Sequence, residues 1–499
     1  MIARQPVLPD GPEATDWMAA IESASFAALR SGTSDDLAPL LADAARRWPS
    51  HAGLAWLSAL LLREAQTHEP ALVAAERALH LAPDDPAARA LLAQLRTETG
   101  RTAAAAFAAA RALAPGDAAL IIGHAGALAA EGEAEAAMTL MARSLRERPG
   151  WIEGHDYRAT LHRLTGAVGP DDAGFAEAVR TEPHNVALRL AWFHWLAKAR
   201  RWDEARAICD DAVRHCGDSP ALEMTRLYLE AESGAATDRP DLFDKLADRA
   251  DPGLSLARVR HALRCSAPDK AVAIAMTHLP TPAARLFWPY LSIGWRLLGD
   301  DRAAWLDQPD RFIRSADLGL DARELAMLAD LLRSLHTAAA PYPDQSVRGG
   351  TQTDRPLLFR HEPIMQRTRA AIEAAVRDYI AVLPPPEAGH PLLDIPRDRV
   401  KFAGSWSVRL SAQGYHAAHT HPTGWISSAL HVSLPDKMEG GSLSFGTPPP
   451  ELGLDLAPYG EVEPKAGQLI LFPSTLWHGT TPFADGERLS IAFDIRPPA

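Results

Sequence analysis

The sequence predicts two folds in series, α then β: an α-helical solenoid of repeated helix pairs, then a β domain in the last third of the 499 residues. Two observations predict the solenoid. Pro49, Pro83, Pro115, Pro149 and Pro183 recur at spacings of 34, 32, 34 and 34, and Gly217 falls 34 further on. Small residues recur where two helices must approach closely, at Ala59, Ala93, Ala125 and Ala159, with Gly100, Gly132 and Gly166 at the turns. A third observation predicts the β domain. From Trp425 to Leu434, Ile426, Leu430, Val432 and Leu434 fall on one side and Trp425, Ser427, Ala429, His431 and Ser433 on the other, the period of a half-buried strand.

Taken in order, residues 1–15 read as a tail and 16–253 as the repeats. In period these resemble the tetratricopeptide (TPR) family, although Phe193 takes the small-residue place in a later unit. Each unit is an amphipathic pair that cannot bury its apolar face alone, so five or more stack into a superhelix with a long groove. The alanine-rich run from Ala103 to Ala114 fits this, since alanine is the best helix former and falls at close-packing positions. Residues 254–337 keep helical patterning, with Leu256, Val259, Leu263, Trp288, Leu291, Trp295 and Leu298 as core, but lose the 34-residue signature, and read as divergent or capping helices. Residues 338–356, with Pro341-Tyr342-Pro343 and Arg348-Gly349-Gly350, read as a linker or active-site loop. Residues 357–499 form the β domain, opening with an amphipathic helix over 363–382 and continuing with strands from about Val400, where Trp406, Val408 and Leu410 alternate with Ser407, Arg409 and Ser411.

Composition narrows the class. A length of 499 exceeds one ordinary core, and 47% hydrophobic with 23% charged residues describes a globular protein. Cys209, Cys216 and Cys265 are few and lack metal spacing, which suits a reducing cytoplasm. Met1 to Trp17 lacks a signal-peptide pattern, and no apolar run reaches spanning length, so a cytoplasmic location is expected and membrane insertion is not. A net charge of -12 argues against broad nucleic-acid binding, which needs clustered Lys and Arg.

Chemistry concentrates in Tyr415-His416-Ala417-Ala418-His419-Thr420-His421, in Trp477-His478-Gly479 and in Arg488-Leu489-Ser490. Two imidazoles one residue apart at a strand end, with a third from a distant strand, can occupy one face of an octahedron and leave the other open for a co-substrate and oxygen. On the last strand Arg488, Ser490, Ala492 and Asp494 share one face, so Arg488 and Ser490 can converge on one carboxylate.

These motifs, with Gly424-Trp425-Ile426-Ser427, Gly441 to Phe445 and Gly467 to Ser474 in the same order, resemble the Fe(II)- and 2-oxoglutarate-dependent oxygenases, in particular a bacterial branch with H-x-H-P. The resemblance covers only the last third. It implies a double-stranded β-helix (jelly roll), iron held by His419 and His478, the distal carboxylate of 2-oxoglutarate held by Arg488 with support from Ser490, and a role near the site for Gly350 to Thr353, which includes Gln352. His421 stands where the family usually carries an acid. It is read as the third ligand of a three-histidine centre, the alternative being two histidines with water in the third place.

For the remaining histidines two readings compete. His431 is read on the pocket face, either as a carrier of the 2-oxoacid carboxylate at the iron or as a satisfied strand histidine, and His416 as a hydrogen-bonded core residue. His124, His155, His184 and His194 fall among the repeats in packing or solvated roles. Trp406, Trp425 and Trp477 are candidate pocket walls or core aromatics. The implied activity is oxidative hydroxylation with Fe(II), 2-oxoglutarate and O2. The expected substrate is a peptide or protein side chain held by the repeats; the alternatives are a small-molecule hydroxylase or a non-catalytic scaffold.

Overall fold

The computed structural model describes residues 16–498 apart from Ala247, Ala250 and Asp344, so the tail read at 1–15 lies outside the described residues. By compactness the chain divides into two units, one of residues up to Ser144 together with Arg355–Arg369, the other of Leu145–Asp354 with Ala370–Pro497.

The first unit consists of helix pairs such as Ala52–Glu64 with His68–Leu81 and Pro86–Glu98 with Ala104–Leu113. Each proline is followed two residues later by a cap: the side chains of His51, Asp85 and Asp117 accept backbone N–H groups of the helices they open, satisfying donors that a helix leaves unpaired. Ala59, Ala93 and Ala125 are fully buried between helices. Arg355–Arg369 lies along the turns of these pairs. Phe359 stacks on His68 with ring centroids 3.9 Å apart, the backbone N–H and ring Nδ1 of His361 both reach the carbonyl of Thr99 at 3.1 and 2.8 Å, and Arg369 donates to the carbonyl of Gln66 at 2.9 Å.

In the second unit the pairs continue, with Asn185, Ser219 and Asp251 as caps. The helices read as divergent keep the repeat register. The turn inside each pair takes a left-handed residue at Gln66, Gly100, Gly132, Gly166, Arg200, Gly234, Ser266 and Gly299. Three of these are not glycine, at a cost of roughly 1–2 kcal/mol each, which is why the glycine signature fades while the geometry persists. The later helices also buttress the β domain: Trp288, Leu291 and Trp295 share one core with Leu452 and Trp477.

Among the described residues the β domain has nine strands: β1 (Arg314–Asp317), β2 (Val347–Gln352), β3 (Phe402–His416), β4 (Ile426–Ser433), β5 (Leu443–Phe445), β6 (Gly460–Val462), β7 (Gln468–Pro473), β8 (His478–Thr480) and β9 (Arg488–Ile495). A six-stranded antiparallel sheet runs β1-β7-β4-β9-β3-β2 and a three-stranded one β6-β5-β8. Two sheets face to face with their inner side chains meeting make the jelly roll. Strands thus begin well before Val400. The supposed loop at 338–356 contains β2, whose turn formers serve close packing: a Cβ on Gly350 would lie 2.2 Å from the carbonyl oxygen of Arg409. β1, short and polar, pairs with the edge of β7.

Candidate metal centre

β3 ends at His416, and the chain then turns so that His419 forms an isolated antiparallel bridge with His478 at the head of β8. Backbone pairing therefore sets two imidazoles side by side, with ring centroids 4.3 Å apart. His421 follows, its ring 5.0 Å from that of His419 and 5.1 Å from that of His478. One nitrogen of each of the three can be chosen so that all lie within 4.8 Å of one another.

The far side of each ring is anchored. Nδ1 of His419 lies 2.8 Å from the carbonyl of Ala417, Nδ1 of His478 lies 3.0 Å from that of Leu476, and Nδ1 of His421 lies 2.6 Å from Oδ2 of Asp494. Each acceptor holds the proton on Nδ1 and leaves the Nε2 lone pair for a cation, the pattern in which partners behind ligating histidines fix their tautomer. Burial, then the neighbouring His421, pushes the pKa of His419 down to about 3, and burial holds that of His478 well below its usual value. Both rings are in the neutral form that metal binding requires. Three imidazoles suit iron, so the residues fit the metal.

The centre opens on a cavity of about 330 Å³ between the two sheets. Val408 and Trp406 of β3, Leu443 of β5 and Phe472 of β7 form apolar walls. Arg488 and Ser490 of β9 line it as well. Arg488 is 2% exposed and, among the described residues, has no carboxylate partner; its Nη1 donates to the carbonyl of Gly441 at 2.7 Å and its Nη2 lies 3.4 Å from Nδ1 of His431, while Nε is left unpaired. Burial alone lowers its pKa to about 10. A buried guanidinium without an anion is costly, and a dicarboxylate entering the cavity would relieve that cost.

Other expected residues fall differently. His431 is fully buried behind Arg488 and does not line the cavity, which points to orienting the guanidinium in place of direct contact with a carboxylate at the metal. His416, expected in the core, lines the cavity with Nδ1 3.0 Å from Ser346 Oγ, itself 3.3 Å from His419 Nε2. Among the tryptophans, Trp406 is a wall, stacked on His421 at 5.6 Å and 8°. Trp425 donates to the carbonyl of Leu392 and Trp477 to that of Pro289, both buried in packing. Gln352 lines the cavity, whereas Arg409 pairs with Glu487 away from it. Asp494 and Ser346 carried no role in the sequence reading; the period-two alternation already placed Asp494 on the face of Arg488 and Ser490.

The jelly roll, the three anchored imidazoles and the buried arginine define an Fe(II)- and 2-oxoglutarate-dependent dioxygenase domain. Residues 404–494 match the family model described as "Putative 2OG-Fe(II) oxygenase". Among solved structures, a Pseudomonas putida prolyl-4-hydroxylase is similar at 19% identity over 38% of this chain and 94% of its own, with a TM-score of 0.28. A viral collagen prolyl hydroxylase from Paramecium Bursaria Chlorella virus-1 in complex with 2-oxoglutarate gives 17%, 37%, 96% and 0.26. A tetratricopeptide repeat protein from Parabacteroides merdae gives 14%, 48%, 97% and 0.31. Scores this low define no common arrangement of the whole chains. No curated protein matches the chain. No helix among the described residues is long and apolar enough to cross a membrane.

Proposed function

We propose that the protein hydroxylates a side chain of a peptide or protein, with His419, His421 and His478 holding Fe(II), Arg488 and Ser490 holding the distal carboxylate of 2-oxoglutarate, and His431 orienting Arg488. The observation that carries this reading is that one cavity brings together three imidazoles tied back through Nδ1 and a buried arginine with no carboxylate partner among the described residues. When bound, iron and 2-oxoglutarate would supply the activation of O2, one oxygen atom of which goes to the substrate C–H bond and the other to the succinate left when the 2-oxoacid loses carbon dioxide. The chain's own part is to orient and to exclude water. Trp406, Val408, Leu443 and Phe472 keep the cavity apolar, so the charge of Arg488 acts in a medium of low polarity.

The cavity of about 330 Å³ lies at the lower end of the ~300–1,000 Å³ typical of small-molecule sites, room for the co-substrate and one side chain. The repeats also hold polypeptide within the chain itself: Arg355–Arg369 is bound to the first unit through carbonyls at helix-pair turns and the Phe359–His68 stack. The test is incubation of the full chain with Fe(II), 2-oxoglutarate and a peptide library, read by succinate release and by a gain of one oxygen atom on a peptide. Succinate released with oxygen gained only by a small molecule would overturn the peptide assignment.

A further inference from the structure

The three-imidazole centre, taken as the metal site proposed above, lacks the negative charge that a carboxylate ligand would bring. A carboxylate is nevertheless present one residue layer out. Asp494, 6% exposed on β9, places Oδ2 2.6 Å from Nδ1 of His421. Its other oxygen, Oδ1, accepts from Ser427 Oγ at 2.6 Å, and Ser427 sits opposite it in the β4–β9 register and 2.9 Å from Ser474 Oγ. Among the described residues no lysine or arginine pairs with Asp494; its ion-pair partner is His421. The ring of His421 is stacked on Trp406 with planes 8° apart. One residue thus fixes the ring's plane and another its tautomer.

We propose that Asp494 is the charge-supplying positioning residue of the metal centre, acting on the metal through His421. The carboxylate draws on the Nδ1 proton, raises the electron donation of Nε2 and locks its direction. A hydrogen-bonded carboxylate behind a ligating histidine is an arrangement whose removal weakens metal binding by roughly 10–100-fold. The anion therefore moves from the first layer to the second, and the histidine at the family's acid position becomes the conductor of its charge.

The experiment is titration of the metal-free full chain with cobalt(II), and with Fe(II) under anaerobic conditions, followed by absorption and competition with a chelating dye. Asp494→Asn is expected to weaken binding by roughly 10–100-fold and to change the cobalt spectrum, because the tie to His421 loses its charge. In a His421→Asp background, where a carboxylate can reach the metal directly, the same Asp494→Asn change is expected to have little effect. Ser427→Ala, a milder change that removes one hydrogen bond to the carboxylate, should weaken binding in the same direction by less, which covers misfolding of the Asp494 variants. Equal metal affinity for wild type and Asp494→Asn, or the same loss in both backgrounds, would overturn the proposal. Failure of the site itself looks different: His419→Ala would then bind cobalt as wild type does.

Discussion

Replacing Arg488 by alanine isolates the co-substrate clamp from the metal. The guanidinium is 2% exposed, donates to one carbonyl and faces a cavity walled by Trp406, Val408 and Phe472, with no carboxylate of its own. A desolvated charge pair of this kind costs on the order of 2–5 kcal/mol when one partner is truncated. Since each 1.4 kcal/mol is tenfold, the dissociation constant for 2-oxoglutarate should rise by at least roughly 30-fold. Metal affinity without co-substrate should hardly change, because Arg488 has no contact with the three imidazoles. Lysine should recover part of the loss as a point charge but not the forked geometry. Anaerobic titration of 2-oxoglutarate into the metal-loaded wild type and Arg488→Ala, by calorimetry, reads this directly. Equal affinity would refute both the clamp and the β9 register that aims it.

Single changes His419→Ala and His478→Ala should each abolish iron binding and turnover while the far-ultraviolet circular dichroism of the helices stays that of wild type; retained iron affinity in both would remove the site. His421→Asp should keep iron, whereas His421→Ala should weaken it, and a chelator competition showing no change for His421→Ala would exclude it as a ligand. Metal-free protein should lose stability on acidification. The unfolded chain takes up a proton on this histidine near pH ~6.5, but burial in the fold holds His419 to about 3, so stability is full above the unfolded value and falls as pH drops through that window. Thermal unfolding in chelator at about pH 7 and about pH 5 should show the drop, shallower in His419→Ala; an identical slope in both proteins would contradict the assignment.

The parts of the fold that depend on repetition were legible. Proline followed two residues later by a cap, as at Pro83 and Asp85, is a local signal that survives divergence. The turn glycines were a weaker guide, because Gln66, Arg200 and Ser266 adopt the same left-handed backbone and leave no compositional mark. That hid the continuation of the repeats beyond 253. β1 and β2 were missed for opposite reasons: one is four largely polar residues that find a partner only across the sheet, the other carries two glycines that look like a turn until β3 lies against them. At the site, strand phase placed Arg488, Ser490 and Asp494 on one face. What a single strand could not reveal was the hydrogen bond from His421 to Asp494, which joins residues 73 apart. The same limit applied to Trp425 and Trp477, whose indole partners are carbonyls at Leu392 and Pro289, remote in sequence.

Under the proposed function, oxidative decarboxylation of 2-oxoglutarate depends on a metal held by His419, His421 and His478. Turnover of the full chain with Fe(II) and 2-oxoglutarate under oxygen-18 gas, with His419→Ala as control, tests it most directly. Succinate carrying one oxygen-18 atom is expected from the wild type and none from the control. Unconsumed 2-oxoglutarate, or succinate formed without oxygen-18, would contradict it.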